Sequence, residues 1–156
     1  MNTPVGSIVC KHADFQSDWY QYWQQLLHGS RQWSPAPGET PHPQFSRKNF
    51  EWCAIAQALW HRGKLVPGAS GLGFAVGDEP LASIFARAGV QVLATNLHPR
   101  ARGARHWIKA RQHASDRDQL FHPRIVARSA FDELVSFRHL DMRGRWELEE
   151  RSFDFV

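Results

Sequence analysis

The run Gly71-Leu72-Gly73-Phe74-Ala75-Val76-Gly77, followed by Asp78-Glu79-Pro80 and then by the apolar run Val90–Asn96, constrains this chain more than any other feature. Three glycines so close together break helix and strand alike and mark a turn. Pro80 suits the first turn of a helix, where its missing amide would have no partner. Leu81, Ile84, Phe85 and Ala88 then recur at helical spacing, and Gly89 stops the segment. Val90–Thr95 reads as a short buried strand. Strand, turn, helix and strand within about 27 residues fit a right-handed βαβ unit.

The flanking sequence continues the alternation. Asp14–Leu27 predicts a helix with Phe15, Trp19, Tyr22, Trp23, Leu26 and Leu27 on one face, ended by Gly29. The proline-rich stretch 34–43 lacks amide donors and reads as an extended strap. Lys48–Arg62 predicts a second helix that buries Phe50, Cys53, Ala54, Ala58 and Leu59 and stops at Gly63, before a turn at Pro67-Gly68. Ala101–His113 reads as a helix, Val135–Leu140 as a third strand and Phe153–Val156 as a fourth. The expected fold is therefore α/β: a parallel sheet of about four strands with flanking helices, preceded by a helical N-terminal arm. The arm and strap take residues 1–44, and the sheet domain takes 45–156.

Composition narrows the setting. The 156 residues suit one principal domain, and no apolar run approaches the roughly 20 residues of a membrane span. No secretory signal is recognisable at the N-terminus, and Cys10 and Cys53 lack metal-type spacing, so the expectation is a cytoplasmic protein with reduced thiols. The formal charge of +4 is uneven. Arg100, Arg102, Arg105, Lys109, Arg111, Arg117, Arg124 and Arg128 face only Asp116 and Asp118 between them. Such a run can face nucleic acid, a phosphorylated substrate or an acidic partner, and it reads first as a solvated helix face. Seven tryptophans are scattered without a repeated stacking motif and are assigned to packing.

Ligands of open α/β sheets sit beyond the carboxyl ends of the strands. Three positions converge there: the 71–77 turn, Asn96-Leu97 and Asp141-Met142. Gly71, Gly73 and Gly77 can take positive φ and leave no side chain between backbone and ligand. The helix after Gly77 offers free amides to an anion. Asn96 can bond ribose hydroxyls, Asp141 can accept from an adenine amino group, and Leu97 and Met142 can flank a ring. The spacing G-x-G-x-x-x-G departs from the dinucleotide fingerprint G-x-G-x-x-G. No histidine pair has metal-ligand spacing with a third ligand, so no metal is expected. Ser70 and Ser83 lack a His/Asp arrangement, and Cys53 on an apolar face is packed rather than reactive.

The segments Gly71–Leu81, Val92–Asn96 and Val135–Met142 together resemble the front half of class I S-adenosylmethionine-dependent methyltransferases. The likeness is nearest to bacterial members with a "GLGFGVGTEPL" first motif and a "TDL" second motif. It spans roughly Asn49 to Val156. It implies a Rossmann-like sheet, S-adenosylmethionine as cofactor and a methyl acceptor that the sequence does not identify. Gly71, Leu72, Gly73, Phe74, Ala75 and Gly77 would pass under the methionine part of the cofactor. Asn96 and Leu97 would meet the ribose, and Asp141 with Met142 the adenine.

Two departures qualify the implied activity. Asn96 stands where the family carries an acid, which weakens a charge-assisted bond. Ala75 replaces a common glycine, harmlessly if its φ is negative. The family sheet has seven strands against about four here, so the chain reads as a truncated, cofactor-binding half without the acceptor-binding half. No catalytic residue can be named. The uncovered sheet edge calls for a partner chain or a second copy. The alternative reading is an inactive Rossmann-like module that works through such an association.

Overall fold

A computed structural model describes residues 10–28, 46–144, 146, 148 and 152–156. Gly29 and the strap at 34–43 lie outside the described residues. The chain forms two compact units, divided after Gly63. The boundary expected at 44/45 lies outside the described residues, and the helix that follows it belongs to the first unit.

The first unit pairs α1 (Asp18–His28) with α2 (Arg47–His61), preceded by a 3-10 turn at His12–Gln16. Phe15, Trp19, Tyr20, Trp23 and Leu27 are buried with Phe50, Cys53 and Ala56. Tyr20, not Tyr22, enters this core: Tyr20 is 1% exposed and Tyr22 48%. Phe15 sits in the separate 3-10 turn and does not set the phase of α1. The rings of Phe15, Trp19 and Tyr20 lie 5.0–6.1 Å from a neighbouring ring, with Tyr20 stacked on Phe50. Two buried polar links join the helices. Asn49 Nδ2 donates to Tyr20 Oη at 2.8 Å and to Gln24 Oε1, and Trp23 Nε1 donates to Gln57 Oε1 at 2.8 Å. Ser46 caps α2 by accepting from the Asn49 amide at 3.2 Å.

Cys53 is fully buried, and burial pushes its pKa up to about 12; Cys10 is exposed. Iodoacetamide at pH 8 is expected to modify Cys10 alone in the native protein and both thiols in urea, counted by intact mass. Native modification at Cys53 would contradict this packing.

The second unit carries β1 (Ser70–Gly73), α3 (Leu81–Arg87), β2 (Gln91–Asn96), α4 (Arg105–Lys109), α5 (Arg128–Leu134) and β3 (Val135–His139). The strands form a parallel sheet in the order β1-β2-β3, with Gly71 opposite Val92 and Val92 opposite Val135. The molecule is thus α/β, as expected. Paired residues of parallel strands share a face. Val92, Ala94 and Val135 are buried on one such face, and Ile84, Phe85, Leu120, Ile125 and Phe131 complete the buried apolar set. Gly63, Gly68 and Gly89 stop or turn the chain at φ +66°, +85° and +80°, as their places in the sequence suggest.

Two elements are shorter than expected. The helix expected over Ala101–His113 is a 3-10 turn at Arg102–Ala104 followed by α4, and Arg111 at φ +54° ends it. No residue of α4 is buried, so no packing sustains a longer helix. The fourth strand pairs at one point: Phe155 bridges Gly71 in parallel on the side of β1 away from β2. Ser70 and Asp154 secure it. The Asp154 amide donates to Ser70 O at 2.8 Å, and Asp154 Oδ2 accepts from the Ser70 amide at 2.9 Å. Among the described residues, no helix is long and apolar enough to cross a membrane.

Candidate functional site

Because the strands are parallel, their carboxyl ends share one edge, and the segments that follow Gly73, Asn96 and His139 meet there. Three bonds tie this edge: Val76 N to Thr95 O at 3.0 Å, Thr95 Oγ1 to Gly73 O at 2.9 Å and Leu140 N to Asn96 O at 2.8 Å. The sequence-predicted positions are therefore brought to one edge, and each has its own surroundings.

Gly71, Gly73 and Gly77 do not take positive φ, contrary to expectation; among the described glycines only Gly63, Gly68 and Gly89 do. Crowding explains their lack of a side chain. A Cβ on Gly71 would lie 2.4 Å from Cζ of Phe155, one on Gly73 2.8 Å from Cγ1 of Val76, and one on Gly77 3.0 Å from the Gln112 carbonyl oxygen. The left-handed residue of the turn is Ala75, at φ +50°. The negative φ that would make alanine harmless there is absent, and the conformation costs roughly 1 kcal/mol. Leu72 is buried, and Phe74 packs on Trp146 with centroids 4.5 Å apart and the rings tilted by 36°.

Asn96 is 7% exposed, and its side-chain amide is fully engaged within the chain. Nδ2 donates to Val76 O at 2.7 Å and to Ala114 O at 3.0 Å, while Oδ1 accepts from the Leu97 amide at 2.8 Å. It clamps the glycine turn to the segment after α4. The clamp needs a donor: a carboxylate at this position would face two carbonyl oxygens. Leu97 is half-buried, and its carbonyl pairs with His113 Nε2 at 2.9 Å.

Asp141 and Met142 are exposed at the end of β3. Arg143 grips the Asp141 carboxylate from Nε at 2.9 Å and Nη2 at 2.7 Å, and its amide adds a third bond at 3.0 Å. The Arg143 guanidinium, then its amide, hold the Asp141 pKa down to about 2. Trp146 Nε1 donates to Asp141 O at 3.1 Å, so a carboxylate with apolar neighbours Met142 and Trp146 forms on this edge. That arrangement can accept a hydrogen bond from a planar heterocycle and cover its faces. Sequence reasoning missed Trp146 and the imidazoles of His98 and His139, whose centroids lie 4.6 Å apart. Burial, then His98 and His113, hold the His139 pKa below its ordinary value. Histidines near the carboxyl ends of two successive strands, at 98 just after β2 and at 139 as the last residue of β3, were the available signal.

Among the described residues, the second unit lines a larger and a smaller cavity. The larger, about 940 Å³, is lined among others by Ser70, Leu93, Arg117, Asp132, Ser136 and Arg138, and none of the ten predicted cofactor residues lines it. The smaller, about 60 Å³, is an apolar gap among Gly71, Leu72, Gly73, Phe85, Ala94 and Phe155. Among the described residues, no group of three or more His, Cys, Asp or Glu side chains could hold a metal ion. Comparison of the chain with family models, curated proteins and solved structures finds no significant match.

Proposed function

We propose that residues 64–156 form a Rossmann-like scaffold for S-adenosylmethionine, the cofactor-binding half of a class I methyltransferase whose acceptor is unassigned. The observation that carries this reading is the order of parallel segments. β1 lies between β2 and the Phe155 bridge, so the chain reverses direction across the sheet beside the glycine turn. Crevices at such a reversal hold the nucleotides of doubly wound sheets. Asp141, Met142 and Trp146 supply an acceptor and apolar surfaces for the adenine, and the turn at 71–77 would lie under the methionine part. When bound, the sulfonium supplies a reactive methyl group; the chain's contribution is to bind and orient it.

A second reading is favoured by Asn96. With its amide committed to Val76, Ala114 and Leu97, the family's ribose position acts as an internal clamp. This supports an inactive module that associates with a partner chain or with itself. Titration calorimetry with S-adenosylmethionine and S-adenosylhomocysteine separates the readings. The first expects saturable heat at micromolar to millimolar ligand, lost in Asp141→Asn. Absence of heat at millimolar ligand on folded protein removes it. A light-scattering mass of 17.9 kDa, that of one chain, would count against self-association.

A further inference from the structure

The basic run divides into two parts of different character. Arg117 and Arg128 are neutralised by Asp118 and Asp132 through contacts of 2.7–2.8 Å. Between Leu97 and Ser115 there is no acidic residue at all, and this stretch holds Arg100, Arg102, Arg105, Lys109 and Arg111. All five are exposed, and none makes an ion pair among the described residues.

α4 stands at the middle of this stretch with no buried residue, held to the body by the fully buried Ala104 just before it. Trp107 is 52% exposed and Ile108 42%. The Trp107 ring meets the edge of the His106 ring, with centroids 5.6 Å apart, and this half-open indole stands among unpaired cations, the combination of charge and aromatic surface that nucleic-acid sites use. On helical spacing, Arg105 and Lys109 share a row one turn apart, and Trp107, two residues from each, lies on the other side of the exposed turn, so a ligand that meets both must be flexible enough to follow the surface round.

We infer that residues 100–111 bind single-stranded nucleic acid, the guanidinium and ammonium groups taking phosphates and Trp107 stacking on an unpaired base. Arginine forks match phosphate oxygens, and exposed tryptophan accepts any base face. A helix of five residues is too short to read a duplex groove, where base faces are closed in any case. It also presents too little apolar surface to seat in a bilayer interface. The inference stands independently of cofactor binding.

The test is fluorescence anisotropy of labelled 20-nucleotide RNA and DNA single strands and a duplex of the same length, with the full chain, across a salt series. Vesicles containing phosphatidylserine form a parallel arm. Five phosphate contacts predict that log affinity falls with log salt at a slope of about −3.5. R102Q/R105Q/K109Q is expected to weaken binding at least tenfold and bring the slope to about −1.4. Trp107→Ala is expected to weaken single-strand binding about tenfold with the slope unchanged, and Trp107→Phe to retain most of it. All are surface changes, and circular dichroism melts check that folding persists. Stronger binding to RNA than to DNA, or the reverse, identifies the natural strand. No binding at 50 mM salt, equal binding of the duplex, indifference to Trp107→Ala, or preference for the vesicles would each overturn the inference.

Discussion

Asn96→Asp is expected to destabilise the sheet-bearing unit by about 2–4 kcal/mol at pH 8, although it restores the acid of the methyltransferase motif. The substitution removes the donor that serves Val76 O at 2.7 Å and Ala114 O at 3.0 Å, and sets a buried carboxylate against both oxygens. Leaving buried acceptors unpaired costs about 1–3 kcal/mol each. The effect carries a pH signature. Burial and two facing carbonyls raise the introduced carboxyl's pKa above its unfolded value of about 3.9. A group with a raised folded pKa is tolerated best below its unfolded pKa, where it is protonated and can still donate to one oxygen. Stability is lost as pH climbs through the folded pKa. Urea melts at pH 4.5 and pH 8 should show the larger deficit at pH 8. The same variant arbitrates function: tighter S-adenosylmethionine binding would mean that this position serves the ribose, and destabilisation without a gain in affinity would mean a clamp.

The second large effect is expected at Gly71. A methyl group there would fall 2.4 Å from Cζ of Phe155, so Gly71→Ala must displace that ring from its edge-on contact with Phe85, where the centroids lie 5.3 Å apart. The Leu72 amide would lose Phe155 O, now 3.1 Å away, as the segment shifts. Overpacking of this kind costs about 1–3 kcal/mol. Phe155→Ala should cost a similar amount, because the ring is only half-buried. The informative measurement is the double variant. If both changes act by emptying the same contact, Gly71→Ala/Phe155→Ala is scarcely worse than either single change. Additive losses would mean that glycine at 71 answers to something other than Phe155, a ligand being the foremost candidate.

These two residues show why some of the molecule was legible in its sequence and some was not. β1, β2, β3, α2 and α3 follow from apolar spacing and from stops at Gly63, Gly68 and Gly89, all local signals whose φ values agree. The 71–77 turn was legible as a place but not as a reason. Its glycines answer to Phe155, to Val76 within the turn and to the Gln112 carbonyl, two of them distant in sequence. Asn96 was legible as a polar strand end, yet its partners are backbone oxygens, which carry no residue-type signal. α4 was overextended because the 101–113 stretch favours helix locally, while no packing surface exists to carry it. Tyr22 and Tyr20 exchanged roles because a 3-10 turn shifted the phase after Phe15.

The clasp between Ser70 and Asp154 also bears on the order in which the sheet assembles. Thr95 reaches Gly73 across 22 residues, whereas Asp154 reaches Ser70 across 84. Two doublings of loop length add about 1.2 kcal/mol of closure entropy. Contacts of longer range are slower to form. The β1–β2 pair is therefore expected to form early and the Phe155 side of β1 to close last. Until it does, the backbone of Ser70–Gly73 is an open strand edge in the nascent sheet, and any partially folded chain will offer that edge to its neighbours first.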